Sequence, residues 1–263
     1  MDLNMEVLAR NNAATGAKFA LRQTPHRPPV LHHKLNCGTF TLRCGEPMSI
    51  EQARFNMIEQ QIRPWNVLDA GILELLGSVR REDFVPAAYR GLAFMDTEIP
   101  LPCGQNMLAP KVEARILQEL AVRKDEWVLE IGAGSGFMAA LLGHRAAAVQ
   151  TLEIHEELVT MARANLQRAG MNNVTVEQAD GAHYAKSAEF DVIVLSGSVA
   201  QIPQDLLQRL KPGGRLAAIV GDEPVMRAQI VTRATATDFR TRDLFDTVAT
   251  RLEHFPEPSR FQF

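Results

Sequence analysis

VLEIGAGSGF, residues 128–137, is the stretch that decides the fold, because an apolar run leads through three glycines into a second apolar segment. Glycine tolerates backbone conformations that other residues avoid, so Gly132, Gly134 and Gly136 allow a tight turn and the close approach of a ligand. A helix that begins after such a turn offers free backbone N–H groups to an anionic group. The stretch therefore predicts a strand, a ligand-binding turn and the start of a helix.

Strand-like and helix-like patterns alternate around this turn, from residue 111 to about residue 220. The strand-like segments are apolar throughout, which is typical of parallel strands covered by helices on both faces. Residues 228–252 instead alternate apolar and polar side chains, which predicts an antiparallel hairpin at the sheet edge. We therefore predict an α/β fold with a doubly wound, mostly parallel seven-stranded sheet. The predicted central strands are residues 126–131, 148–154, 174–180, 190–196 and 214–220.

The part of the chain before the sheet divides into two segments. Residues 1–47 have scattered proline, arginine and histidine without sustained periodicity, so we expect a disordered leader, or alternatively a natural start at Met48. Helical spacing begins after Ser49, which is a favourable N-cap residue. The predicted domains are a leader at 1–47, an N-terminal helical extension at 48–110 and the sheet domain at 111–263.

Composition and charge exclude several classes of protein. The chain has 263 residues, is 46% hydrophobic and carries a formal net charge of -3, whereas a non-specific nucleic-acid binder has a basic surplus. No apolar run approaches the roughly 20 residues that span a bilayer, so neither nucleic acid nor a membrane is a predicted partner. The three cysteines form no disulfide framework and indicate a reducing cytoplasm; we expect a monomer. His32, His33, Cys37 and Cys44 match no usual zinc spacing, so no metal site is predicted.

Two kinds of nucleotide cofactor compete for the glycine-rich turn. A dinucleotide fingerprint, G-x-G-x-x-G, would place Phe137 where a third glycine must let helix and strand pack closely, so that pattern fails. S-adenosylmethionine carries an ammonium and a sulfonium, which a carboxylate at Glu130, just before the turn, would attract. Glu153, at the end of the second strand, is placed to accept from a ribose diol, and Asp180, after the third strand, from an adenine amino group.

S-adenosylmethionine is therefore the predicted cofactor. The competing interpretation is that Glu153 and Asp180 are only helix-capping or loop acids. Ser196 and Ser198 follow the fourth strand near the same crevice, but no base is paired with them, so neither is predicted to be a nucleophile. The predicted cofactor-binding residues are Glu130, Gly132, Ala133, Gly134, Gly136, Glu153, Ile154, Asp180 and Gly181.

Segments on both sides of the turn make the chain resemble the protein-L-isoaspartate O-methyltransferases, as a divergent member. Those enzymes carry DFVP, then LP shortly before GQTISxP, then VLEIGxGSG, and DG after the third strand. The resemblance spans roughly residues 50–222 and implies a class I methyltransferase sheet. It also implies methyl transfer to the α-carboxylate of isoaspartyl residues in damaged proteins. The matching positions here are residues 83–86, 99–100, 104–105 with Pro110, 128–136 and 180–181.

The resemblance breaks in GQNMLAP, residues 104–110, which we call the acceptor segment. Asn106 and Leu108 stand where the family has Thr and Ser, and that serine is the usual active-site position. No catalytic role therefore passes to Leu108, and the catalytic residue stays unknown. Gln105 and Asn106 are candidate donors to the substrate, although they can equally be turn residues that bond their own backbone. Asp96 and Thr97 are further candidate substrate contacts, because the family also places polar residues there.

Three functions remain open from the sequence. The first is isoaspartyl O-methylation, since a carboxylate is already ionised at pH 7 and one lost hydrogen bond to it costs only about 1.5–3 kcal/mol. The second is methyl transfer to another carboxylate or a small molecule, which the apolar Met107 and Leu108 favour. The third is a cofactor-binding module without turnover.

Overall fold

The computed structural model describes residues 48–184 and 188–257, so the predicted leader, with its histidines and cysteines, lies outside the described residues. In these two ranges, no helix is both long and apolar enough to cross a bilayer. The α-helices are α1 (Ile50–Met57), α2 (Ala70–Ser78), α3 (Pro110–Leu120), α4 (Phe137–Gly143), α5 (Glu156–Arg168) and α6 (Gln204–Gln208). The β-strands are β1 (Ile99–Pro100), β2 (Asn106–Met107), β3 (Trp127–Ile131), β4 (Ala148–Glu153), β5 (Val174–Gln178), β6 (Phe190–Val199), β7 (Leu210–Asp222), β8 (Val225–Arg233) and β9 (Phe239–Thr247).

The N-terminal extension consists of α1, α2, several short turns and the hairpin of β1 and β2. Ser49 Oγ accepts a hydrogen bond from the Gln52 amide at 3.1 Å, which confirms the predicted helix start. Asp69 Oδ1 caps α2 in the same way, through the Ile72 amide at 2.9 Å. β1 and β2 pair in antiparallel register, and α3 begins three residues later at Pro110. The hairpin therefore presents the acceptor segment directly before the sheet domain.

The other seven strands form one sheet in the order β5-β4-β3-β6-β7-β8-β9. The first five of these strands are parallel, whereas β8 pairs antiparallel with β7, and β9 antiparallel with β8. This order confirms the predicted doubly wound, mostly parallel sheet with an edge hairpin. β6 and β7 are longer than predicted, because their ends continue to pair as far as Val199 with Val220 and Asp222 with Val225.

Hydrophobic side chains are buried on both faces of the sheet, which explains the continuous apolar runs. Val128 and Val192 belong to a cluster that also contains residues of α3, α4 and the N-terminal extension. Leu129 and Ile193 belong to a second cluster, which contains residues of α6. Successive side chains of a strand point to opposite faces, so neighbouring residues enter different clusters. Pro47–Phe263 form one compact unit, in which the extension and the sheet share the first cluster.

A crevice opens where the winding of the sheet reverses at β3, which has β4 on one side and β6 on the other. Residues 249–255, which we call the C-terminal strap, cross this crevice beside the end of β6. The Ser198 amide donates to the Thr250 carbonyl at 2.8 Å, and the Leu252 amide donates to the Ser198 carbonyl at 2.9 Å. The strap is therefore held on the sheet by backbone hydrogen bonds.

Candidate active site

A cleft of about 650 Å³, including the part that opens to solvent, lies in this crevice. Its size is within the range of small-molecule sites, roughly 300–1,000 Å³. A smaller cavity of about 270 Å³ adjoins it and is lined by Glu130 and Ala133 among others. The structure therefore brings together most of the predicted site residues. Those that line the main cleft are Gln105, Asn106, Leu108, Gly132, Gly134, Glu153, Ile154, Asp180 and Gly181.

The glycine-rich turn adopts backbone conformations that favour glycine. The φ angle is +92° at Gly132, +51° at Gly134 and +84° at Gly136. A Cβ at Gly136 would lie 3.3 Å from the backbone of α5, so this glycine lets the turn pack against that helix. The amides of Gly132 and Ala133 donate to the Leu152 carbonyl at 2.9 and 3.1 Å. These two amides are therefore engaged within the protein.

Glu153, at the end of β4, lines the cleft and also organises the turn. Its Oε2 accepts from the Gly134 amide at 2.8 Å, and its Oε1 accepts from the Ile154 and His155 amides at 3.0 and 3.1 Å. The structure is therefore compatible with both interpretations of Glu153, as an acceptor for the ribose and as an acid that caps backbone amides. A carboxylate oxygen accepts two hydrogen bonds, so Oε2 retains one position that a ligand hydroxyl can use.

Asp180, which follows the neighbouring strand β5, also lines the cleft. Its Oδ1 accepts from a backbone amide of the following turn, and its Oδ2 is 2.9 Å from His183 Nδ1 and 2.8 Å from His254 Nδ1. Partial burial works to raise the pKa of Asp180, but the hydrogen bonds from His183 and His254 outweigh it and hold the pKa below its usual range. Asp180 is therefore an ionised acceptor at neutral pH, as the predicted adenine contact requires.

Glu130, the third predicted acid, lies deeper in the fold than Glu153 and Asp180, and its predicted contact with the cofactor stays a prediction. The structure buries its side chain fully within β3. Oε1 bonds to Ser196 Oγ at 2.7 Å and Oε2 to Thr151 Oγ1 at 2.6 Å. Burial raises the pKa of Glu130 to about 8, although these two hydrogen bonds lower it. The carboxyl group is therefore mostly protonated at pH 7 and lines the smaller cavity instead of the main cleft.

Two side-chain hydrogen bonds tie the acceptor segment to the C-terminal strap. Gln105 Nε2 donates to Glu253 Oε1 at 2.9 Å, and Asn106 Nδ2 donates to Thr250 Oγ1 at 2.9 Å. His155 Nε2 also lies 2.9 Å from the same oxygen of Glu253. The two amides therefore reach across the cleft through these bonds, and do not serve only as turn residues.

A buried arginine holds Leu108, which lines both the cleft and the smaller cavity. Arg81 Nη2 donates to the Leu108 carbonyl at 2.6 Å, and Arg81 Nη1 pairs with the buried Glu113 of α3. Burial raises the pKa of Glu113 to about 7, although the Arg81 guanidinium lowers it. Sequence reasoning misses this pair, because nothing local distinguishes the buried Arg81 from the exposed Arg80 beside it.

Asp96 and Thr97 are not among the described residues that line the cleft or the smaller cavity. Asp96 Oδ2 accepts from Lys111 Nζ at 2.6 Å, and the Thr97 amide closes a turn onto the Met95 carbonyl at 2.9 Å. A substrate would reach them by extending beyond the cleft. Their predicted contacts with the substrate therefore stay predictions.

The C-terminal strap supplies the part of the site that sequence reasoning misses. The sequence indicates the strap only indirectly, through two glycines whose missing side chains leave space for Leu252. A Cβ at Gly132 would lie 3.0 Å from Leu252 Cδ2, and a Cβ at Gly197 would lie 2.9 Å from the same atom. The strap residues that line the cleft are Thr250, Leu252, Glu253 and Phe255.

Comparison with known proteins agrees with this geometry. The model of the protein-L-isoaspartate(D-aspartate) O-methyltransferase family (PCMT) matches residues 52–248. A protein-L-isoaspartate O-methyltransferase of Koribacter versatilis (strain Ellin345) is 37% identical over 194 residues, which cover 73% of this chain and 87% of that protein. A protein-L-isoaspartate O-methyltransferase 2 of Anaeromyxobacter sp. (strain Fw109-5) is 37% identical over 201 residues, which cover 76% of this chain and 83% of that protein.

Solved structures of lower identity share the fold. A Plasmodium falciparum structure, described as a protein-L-isoaspartate O-methyltransferase in complex with S-adenosyl-L-homocysteine, has a TM-score of 0.65 and 18% identity and covers 77% of this chain and 97% of that chain. A second protein-L-isoaspartate O-methyltransferase has a TM-score of 0.63 and 21% identity and covers 75% of this chain and 65% of that chain. Both confirm the predicted methyltransferase sheet. Since the family model and close relatives match most of its length, the chain belongs to the protein-L-isoaspartate(D-aspartate) O-methyltransferase family.

Proposed function

We propose that this chain is an S-adenosylmethionine-dependent O-methyltransferase that methylates the free carboxylate of L-isoaspartyl residues in damaged proteins and so starts their repair. The proposal rests on a single cleft that is lined both by the acceptor segment and by carboxylates suited to the cofactor. The chain that forms this cleft belongs to the protein-L-isoaspartate(D-aspartate) O-methyltransferase family. Residues 48–110 supply the acceptor segment, and residues 111–263 supply the cofactor side and the strap that faces the acceptor segment. We expect a monomeric enzyme of the cytoplasm whose partners are damaged proteins and peptides.

The cofactor side fits S-adenosylmethionine through the chemistry of its residues. Glu153 and Asp180 provide the hydrogen-bond acceptors that ribose hydroxyls and an adenine amino group require. Leu252 and Phe255 of the strap add apolar walls, and Gly132 and Gly134 of the turn also line the cleft. When bound, the cofactor supplies an electrophilic methyl group, which a carboxylate oxygen accepts without proton transfer.

The acceptor side offers neutral hydrogen-bond donors to a carboxylate. Among the described residues that line the cleft there is no lysine or arginine. Gln105 and Asn106 each direct one amide N–H to the strap and keep a second N–H for a ligand. Because the acceptor carboxylate is already ionised, the residues need only bind, orient and shield it. Such positioning contributes up to about 7–11 kcal/mol to catalysis.

Methyl transfer from a radiolabelled cofactor to matched peptides tests the proposal. One peptide carries an isoaspartyl residue, and its control carries an aspartyl residue at the same position. We expect label on the isoaspartyl peptide alone. Label on neither peptide, but on components of a cell extract, would refute the proposal in favour of a different carboxylate or a small-molecule acceptor. Cofactor binding in calorimetry without transfer to any acceptor would identify a module without turnover.

A further inference from the structure

Thr250 of the C-terminal strap places a hydroxyl group in the cleft beside the acceptor segment. Its Oγ1 accepts a hydrogen bond of 2.9 Å from Asn106 Nδ2. An amide N–H can only donate, so the hydroxyl oxygen is the acceptor in this bond and its own proton is available to a third group. Within residues 48–184 and 188–257, Thr250 Oγ1 makes no second hydrogen bond that would use this proton.

The backbone on both sides of Thr250 is fixed on β6 by one buried serine. The Ser198 amide donates to the Thr250 carbonyl at 2.8 Å, and Ser198 Oγ donates to the Ala249 carbonyl at 2.8 Å. The Leu252 amide donates in return to the Ser198 carbonyl at 2.9 Å. The Thr250 hydroxyl is therefore presented from an ordered backbone, which reduces the entropy lost when a substrate is oriented.

Thr250 is also the hydroxyl of the cleft that remains available to an anion. Of the two hydroxyl side chains that line the cleft, Ser196 is engaged with Glu130 at 2.7 Å. The carboxylate of Glu253 accepts hydrogen bonds but cannot donate them, and the side chain of Leu108 is apolar. A carboxylate that enters the acceptor side therefore meets donors at Thr250 and at the amides of the acceptor segment, beside the imidazole of His155.

We propose that Thr250 binds the acceptor carboxylate and supplies the hydroxyl that position 108 lacks, while Asn106 positions Thr250. This inference rests on the proposed transfer to isoaspartyl carboxylates. The Thr250 O–H donates to one carboxylate oxygen and leaves the other free for methylation, which moves no proton. The family model matches residues 52–248, so this hydroxyl comes from a segment that follows the matched region.

Binding of an isoaspartyl peptide to the protein saturated with S-adenosylhomocysteine tests this role without turnover. Thr250→Val removes the hydroxyl at nearly constant shape and should weaken peptide binding about 10- to 150-fold, the factor expected for one hydrogen bond to a charged group. Thr250→Ser retains a hydroxyl and should bind the peptide much more tightly than the valine variant. Thr247→Val is the matched control, because its hydroxyl contacts the Val248 carbonyl at 3.5 Å and does not line the cleft.

A second variant introduces a hydroxyl at position 108 instead. Leu108→Ser in the Thr250→Val background should recover peptide affinity, and kcat/KM for the isoaspartyl peptide should follow the same order across the variants. Unchanged peptide affinity in Thr250→Val overturns the proposal, and so does an equal loss of affinity for S-adenosylhomocysteine, which would indicate a general collapse of the strap. If the wild type binds the cofactor but neither binds nor methylates isoaspartyl peptides, the proposed function fails and this inference fails with it.

Discussion

Replacing Glu130 with glutamine should make the free energy of unfolding less sensitive to pH between about pH 5 and pH 8. Burial raises the pKa of Glu130 from 4.5 to about 8 in the folded protein. The stabilisation that a raised pKa provides is fully present below the unfolded-state pKa and is lost as pH rises through the folded-state pKa. A pKa difference of this size changes the free energy of unfolding by roughly 4–5 kcal/mol between the unfolded-state pKa and the folded-state pKa. The wild type should therefore lose stability relative to Glu130→Gln as pH increases.

Urea unfolding followed by circular dichroism at pH 5, 6, 7 and 8 measures this difference. Glutamine keeps the shape of the side chain, and the hydroxyls of Thr151 and Ser196 can rotate to bond its amide. Glu74→Gln is the matched control, because Glu74 is exposed on α2. The wild type and the control should show the same pH dependence. If Glu130→Gln also follows the wild-type profile, the carboxyl group is ionised in the folded protein and the reasoning is refuted.

Three further substitutions test the site and its supports. Glu153→Ala leaves three backbone amides without their acceptor and should weaken S-adenosylhomocysteine binding at least about tenfold in calorimetry, at about 1–3 kcal/mol per unsatisfied group; unchanged affinity would contradict this. Gly181→Ala places a Cβ 2.2 Å from Ile131 Cγ2, so thermal unfolding should show a loss of about 1–3 kcal/mol, and an unchanged Tm would exclude the clash. Arg81→Met leaves Glu113 buried without its partner and should cost about 3–5 kcal/mol in urea unfolding, whereas the exposed Arg80→Met should cost far less.

The sheet could be predicted from the sequence because its signal is local. A central parallel strand is covered on both faces, so each residue from Val128 to Ile131 except Glu130 had to be apolar. Coverage also explains the alternating pattern of the edge hairpin. One face of the hairpin is less covered, so only every second side chain had to be apolar. The helix start at Ser49 was equally local, because a cap needs only a side-chain oxygen and an amide within the next turn.

The charge of Glu130 could not be predicted, because it depends on another layer of the fold. Side chains two residues apart on a strand share a face, so Glu130 points the same way as Val128, toward the layer that contains α3. Glu113 of α3 lines the same small cavity, and its carboxyl group raises the pKa of Glu130 further. The position of Glu130 next to the glycine-rich turn indicates proximity to the cofactor but not the depth of burial, and burial decides the protonation state.

The contacts of the acceptor side could not be predicted for a different reason. They join residues that are 144 and 148 positions apart in the chain. A carboxylate can accept a hydrogen bond from any donor that lies at the right distance and angle, whichever segment of the chain carries that donor. Leucine at position 108 therefore removes a hydroxyl from the motif without showing that the cleft lacks one, because Thr250 reaches the cleft from the strap. One such hydrogen bond contributes about 1.5–3 kcal/mol, whereas positioning contributes up to about 7–11 kcal/mol. Even partial replacement by Thr250 would preserve most of the catalytic advantage, so a change in GQTIS alone is weak evidence for a module without turnover.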